Sequence, residues 1–429
     1  FTGRIDSIRW PASLENLTFR RTFNQPINKV VWPSSLKRLV LLGKEFNQPL
    51  DGVVWPELLE ELTLGVKFNQ PITNVMWPSS LKRLIFESKG AFNQPLDGVV
   101  WPEGLEELGL GESFHEPIAN VMWPRHLQRL TFNGPEFNQA QGGVVWPESL
   151  EKLTLGGKFN ERIVDVVWPS SLRHLSFGPR GDFDQPLDGT AWPPRLEHLD
   201  LGEAFNQPII NVALPSSLKR LDFHPLGLFN QHLDGVIWPE TLEELNFGKF
   251  NLPVVNVVWP SSLKFLRFGA RGDFNQPLEG IAWPPRLEHL HLGGAQFNQP
   301  IANVVWPSSL KRLELAGRKF DQPLDLVVWP ARLEELTLGW RFNQPITNVM
   351  WPSFLKRLRL GSPVGRFNQP IEGVAWPDGL EALTLAGQFN QPIANVVWPS
   401  SLKRLKFSRV FNQPIEGVRW PASLEYLAL

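Results

Sequence analysis

Eleven side chains able to do recognition chemistry stand out in this sequence: His174, His198, Asp200, Arg220, Asp222, Phe265, Arg267, His289, His291 and Glu314, which fall at a regular spacing, and Trp340, which lies outside it. Members such as His174 and His198, Asp200 and Asp222, or Arg267 and His291 stand 22–24 residues apart. Imidazoles, carboxylates and guanidiniums brought together in this way form hydrogen bonds and ion pairs to a partner. Phe265 and Trp340 add aromatic anchors of the kind enriched at binding hot spots. Metal chemistry would need ligand spacing such as H-E-x-x-H, which is missing here. The eight His are scattered, no Ser/His/Asp arrangement recurs, and no Gly-rich phosphate loop is found. With no Cys there is neither a thiolate ligand nor a Cys nucleophile. The expectation is a protein that is not an enzyme, needs no cofactor, and binds a protein partner.

Composition narrows the partner class. Lys and Arg number 42 against 43 Asp and Glu, a net charge of -1, which lacks the basic excess of a nucleic-acid binder. No apolar run is long enough to span a membrane, and no signal-peptide pattern opens the chain. At 42% hydrophobic residues the 429-residue chain can bury a large core.

The regular spacing comes from an internal repeat. Segments opening at Phe1, Phe23, Phe46, Phe68 and onward to Phe411 share the pattern F-N-Q-P-[IL]-x-x-V-V-W-P-x-x-L-x-x-L-x-[LF], in 19 units of 21–25 residues. Trp follows each opening Phe by nine residues, with Leu214 the exception, and Pro always comes next. The run from Phe to the last Leu/Phe has constant length, and all variation falls in the joint after it. A constant section with one permissive loop predicts a solenoid spanning 1–429 as a single domain. In Leu36-Lys37-Arg38-Leu39-Val40-Leu41 the final alternation predicts a strand with Leu39 and Leu41 inward. Val30-Val31-Trp32 predicts a second extended piece before Pro33. Gly52, Asn74, Gly98 and Asn120 fall where a left-handed turn residue is expected. The Asn after each Phe predicts a buried ladder that satisfies turn backbone.

The L-x-x-L-x-L strand with its Asn-bearing turn resembles the leucine-rich repeat. Phe68-Asn69-Gln70-Pro71-Ile72 through Trp77-Pro78-Ser79-Ser80-Leu81-Lys82-Arg83-Leu84 is similar, more specifically, to the FNIP-repeat branch of that superfamily. The near-invariant Trp departs from that pattern. The resemblance covers the whole chain and implies a β-rich, right-handed solenoid with a parallel sheet on its concave side and few or no α-helices. It implies a protein-interaction platform and supplies no catalytic residues.

Five residues after each Trp position the charge alternates, as in Glu15, Lys37, Glu60 and Lys82, which predicts a ladder of ion pairs between coils. Six and eight residues after it, side chains should face outward, and there ten of the recognition residues collect, with His174 and His198 on adjacent rungs beside Asp200; Trp340 stands apart, in the loop Gly339-Trp340-Arg341. Phe354, in a usual Ser slot, is expected to pack locally, and Phe265 and Trp340 either to bind or to tuck against their own coils. Arg-Gly-Asp at 180–182 and 271–273 resembles an adhesion tripeptide, but Gly-Asp there also suits a turn. The first and last residues, Phe1 and Leu429, stand on consensus positions without polar caps, which predicts a piece of a longer chain or ends covered in an assembly. Two readings follow: a scaffold that binds a partner through the concave face or loop rim, or a structural spacer that self-associates. No compartment is predicted; the one glycosylation sequon, Asn16-Leu17-Thr18, lies on an expected strand.

Overall fold

The computed structural model describes residues 4–134, 137–269, 272–294 and 296–429, and Arg271 of the second Arg-Gly-Asp lies outside them. The chain divides into two compact units, Phe1–Gln207 with Val212–Leu218, and Pro208–Asn211 with Lys219–Leu429. Among the described residues unit 1 holds nine short strands, from Asn16–Arg21 to His198–Asp200, and unit 2 holds ten, from Arg220–Asp222 to Tyr426–Ala428. Within each unit every strand is parallel to its neighbour, one per coil, and no helix occurs among the described residues. No helix is therefore long and apolar enough to cross a membrane.

Alternation decides the register. In unit 1 Leu39 pairs with Leu62 and Leu62 with Leu84; in unit 2 Leu245 pairs with Leu266 and Leu266 with Leu290. A slip by one residue would turn each buried Leu to solvent, so the apolar pattern holds the pairing. Behind the strands the opening Phe rings stack in a column, Phe23 on Phe46 at 5.8 Å and Phe274 on Phe297 at 6.2 Å. The Trp rings form a second column, with Trp55 and Trp77 5.9 Å apart. Strands sit about 4.8 Å apart, so within each unit the coils fan out from the sheet and the strands lie on the tighter side. The Val-Val-Trp segment joins no sheet: Val30 and Trp32 are buried, whereas Val31 is 77% exposed.

Polar side chains tie one coil to the next. Asn24 Oδ1 accepts the backbone N–H of Asn47 at 3.0 Å, and Asn47 Oδ1 accepts that of Asn69 at 2.8 Å. The ladder is half-buried rather than buried, and it serves the following coil instead of its own turn. Only an acceptor is required, which explains why Asp321 stands in this slot and receives the N–H of Asn343 at 2.9 Å. Asn298→Ala leaves the Asp321 N–H without its acceptor and should cost about 1–3 kcal/mol in a urea titration, whereas Asn298→Asp keeps it and should be near neutral. The second Ser of Pro-Ser-Ser-Leu works in the opposite direction. Ser35 Oγ donates to the Leu14 carbonyl at 2.9 Å and Ser309 Oγ to that of Leu287 at 2.8 Å.

Two further expectations need correction. Gly52 and Gly98 are left-handed, with φ of 71° and 75°, but Asn74 and Asn120 are not among the positive-φ residues. Alternate coils therefore turn differently around the same bond, Val53 N–H to Leu50 in one and Val75 N–H to Ile72 in the next. Phe354 does not pack locally: it is 61% exposed, because the Ser slot opens toward a neighbouring carbonyl and has no volume for a ring. The charge ladder does form, as with Lys37–Glu15 at 2.9 Å and Lys356–Glu334 at 2.9 Å. A second ladder one residue further along, including Arg38–Glu61 at 3.2 Å, adds to it. These exposed pairs contribute about 0.2–1 kcal/mol each.

Candidate functional site

The eleven recognition residues are divided between the two units. In unit 1 the strands His174–Ser176 and His198–Asp200 place the two imidazoles edge to face, with centroids 4.3 Å apart. Ser176 Oγ donates to Asp200 at 3.1 Å, and Asp200 accepts the Gly202 N–H at 3.0 Å. Burial, and then the charges of His198 and Lys152, push the His174 pKa down. The His174 ring thus favours its neutral form, beside the hydrogen-bonded Ser176–Asp200 network. Among the described residues no three His, Asp or Glu side chains are grouped to hold a metal.

The other eight lie in unit 2, where outward positions of consecutive strands adjoin. Phe265 pairs in register with His289, and Arg267 with His291. The Phe265 and His289 rings lie 4.5 Å apart, tilted by 33°. They border a depression of about 390 Å³ that Arg220, Glu244, Asn246, Arg267, His291, Arg312 and Glu314 also line. Every carboxylate around it is committed. Glu244 pairs with Arg220 at 3.3 Å, and Asp222 takes Arg220 Nε at 2.6 Å as well as the Asn246 amide. Glu314 accepts from His291 Nδ1 at 2.6 Å and from Arg312 at 2.7 Å. Arg267, by contrast, is exposed and makes no ion pair among the described residues.

His291 depends on a residue that its own spacing does not reveal. Its Nε2 is buried against Gly293, where a Cβ would come within 2.3 Å of it. The hydrogen bond from His291, followed by the charges of His291 and Arg312, holds the Glu314 carboxyl down to about 2 against the effect of burial. A carboxyl depressed in the folded state contributes stability above its ordinary value of 4.5 and loses it as pH falls through about 2. Glu314→Gln should accordingly be less stable than the parent at neutral pH, with the gap closing toward pH 2, as urea titrations across that range would record.

Trp340 tucks against the preceding coil rather than its own. The Arg318 guanidinium lies 4.9 Å from its ring, and the residue stays 38% exposed. It borders a second depression with Arg359, Pro363 and Val364, which shares Arg312 and Glu314 with the first. Gly293 is a site residue that spacing alone misses; Arg312 and Arg359 stand six and eight residues after their Trp, on the outward rows, but are not among the eleven. For Arg359 the signal was available, since it continues the outward row of Arg267, His291 and Glu314. The first Arg-Gly-Asp forms a turn, with the Gly181 N–H bonded to Gly178 at 3.1 Å.

Comparison with known proteins agrees with this architecture. The FNIP Repeat matches residues 9–44, 46–89, 92–134, 137–179, 183–225, 229–270, 274–317, 320–362, 367–409 and 389–429. No match is found among curated proteins. Among solved structures, the chain is similar to CroV588, described as a novel circular LRR protein, at 35% identity and a TM-score of 0.73, covering 97% of this chain and 69% of that one. It also resembles TLR13 in its complex with ssRNA13, at 16% identity and a TM-score of 0.51, covering 96% and 72%. Toll from the Drosophila Toll–Spatzle complex matches at 13% identity and a TM-score of 0.51, covering 86% and 51%. These last two likenesses are of fold alone.

Proposed function

The chain belongs to the FNIP-repeat family, and from that membership we propose that it is a non-catalytic scaffold whose strand face in unit 2 binds an acidic segment of a partner protein. Leucine-rich-repeat solenoids are typically interaction platforms without catalysis, because stacked coils offer one long rigid surface instead of an enclosed pocket. The observation that carries the finer reading is the imbalance in the unit 2 depression. Its carboxylates are neutralised by Arg220, Arg312 and His291, while Arg267 stands unpaired beside the Phe265–His289 platform. An incoming carboxylate finds a guanidinium, and an apolar side chain next to it finds an aromatic shelf. Asp200 and Asp222 are engaged within the faces themselves and contribute by ordering their neighbours.

The test uses a fluorescein-labelled peptide rich in Glu and Leu. A charge-assisted hydrogen bond is worth about 1.5–3 kcal/mol, so Arg267→Glu should weaken binding roughly 10- to 100-fold. Lys37→Glu makes the same change of charge in unit 1 and should leave affinity unaltered. Equal loss in both variants would reduce the effect to net charge and overturn the assignment.

A further inference from the structure

Unit 1 carries a feature that the strand face does not use. On six successive coils the residue before the Trp is aliphatic and stands free: Val54, Met76, Val100, Met122, Val145 and Val167 are 74–86% exposed. Scattered exposed aliphatics need no explanation, but an unbroken row marks a contact surface. Carboxylates flank the row on both sides. Asp51 and Asp97 stand three residues before it in their coils and Asp165 two before, and Glu57, Glu103 and Glu148 follow it by three, all of them exposed. Thr73 and Ser79, which hold the matching slots of an intervening coil, line one groove together with Met76, Val100 and Glu103, so row and flanks share a surface. The one Lys or Arg in these flanking slots, Arg125, is paired with Glu103.

We propose that this row is a docking site for an amphipathic helix of a partner protein, with its apolar stripe on the row and Lys or Arg on both sides of the stripe. Charge complementarity selects a basic occupant and argues against a second copy, whose own carboxylates would face these. The two-sided flank selects a helix. A helix carries polar rows on both sides of its apolar stripe, whereas a strand laid on the row points its alternate side chains away from it. The repeat also fits. Trp centroids in these coils are 5.9 Å and 6.1 Å apart, close to the helical pitch of about 5.4 Å.

The test uses the whole chain and a labelled helical peptide of about twenty residues, long enough at 1.5 Å per residue to follow the row, with a Leu stripe flanked by Lys. It should bind at least ~10-fold tighter than a twin flanked by Glu, about 1.4 kcal/mol. Val100→Asp with Met122→Asp should weaken it by a similar factor without unfolding the chain, since both side chains already face solvent. As a second variant, Asp51→Lys with Asp97→Lys should do the same while leaving the apolar row intact. Arg267→Glu should change nothing, which separates this site from the strand face. Equal binding of the two peptides, or unchanged affinity in both variants, overturns the proposal. Self-association of the chain that the Val100 and Met122 changes abolish would assign the row to a second copy and overturn it too.

Discussion

Phe274→Ala is expected to lower stability by about 3–5 kcal/mol. Phe274 is 1% exposed and touches rings on three sides: Phe250 at 6.3 Å, Phe297 at 6.2 Å and, closest, Phe268 at 4.1 Å. Truncation removes the transfer energy of one ring and leaves a void that neighbours held by their own strands cannot fill. In a solenoid each coil is stabilised only by the two it touches, so the defect weakens two interfaces at once. Urea unfolding should show a lower midpoint, and a lower slope if the coils on the two sides of the defect unfold separately. Phe265→Ala makes the same chemical change on the strand face, and its much smaller cost is the control. A loss below about 1 kcal/mol for Phe274→Ala would mean that the column relaxes around the gap.

Gly339→Ala is expected to be the second most damaging change, for the opposite reason. A Cβ at Gly339 would lie 2.1 Å from the Gly317 carbonyl oxygen and 2.7 Å from the Ala316 carbonyl carbon. Both are backbone atoms of the preceding coil, so no side-chain rotation relieves the clash and the coils themselves must separate. The column continues, since a Cβ at Gly317 would come within 2.4 Å of the Gly294 oxygen. Overpacking of this kind costs about 1–3 kcal/mol and sometimes more. Gly373→Ala is the informative comparison. It meets nothing within 4 Å, and its φ of +77° adds only the left-handed penalty of about 1–2 kcal/mol. Calorimetry should therefore place Gly339→Ala below Gly373→Ala in melting temperature, and the reverse order would show that steric approach between coils is not the constraint.

Much of this fold was legible in one coil. The alternation Leu39-Val40-Leu41 foretold the strand, and the constant Phe-to-Leu spacing foretold the stacking. The alternating Lys and Glu foretold the first ladder of ion pairs. Less was legible at the site. Eight of the eleven recognition residues share one unit, and three, His174, His198 and Asp200, belong to the other. Phe354 and Asn74 misled because a slot's room and a turn's handedness depend on neighbouring backbone. The exposed row before the Trp escaped notice because Val-Val-Trp reads as uniformly apolar, and periodicity does not say which of the three faces water.

What the amino-acid pattern settles is the section of a single coil. Inside and outside are decided by side-chain period, and the coil length by the invariant run from Phe to Leu. Which polar groups are spent and which remain available is settled only between coils. Glu244 is held by Arg220, 24 positions away, and Glu314 by His291, 23 positions away, as well as by Arg312 of its own strand, and Arg267 is left over from that competition. The physical reason is that hydrogen bonds, ion pairs and free volume are shared among neighbours in space. Stacking brings those neighbours to within a few ångströms, a proximity that no spacing within one coil encodes.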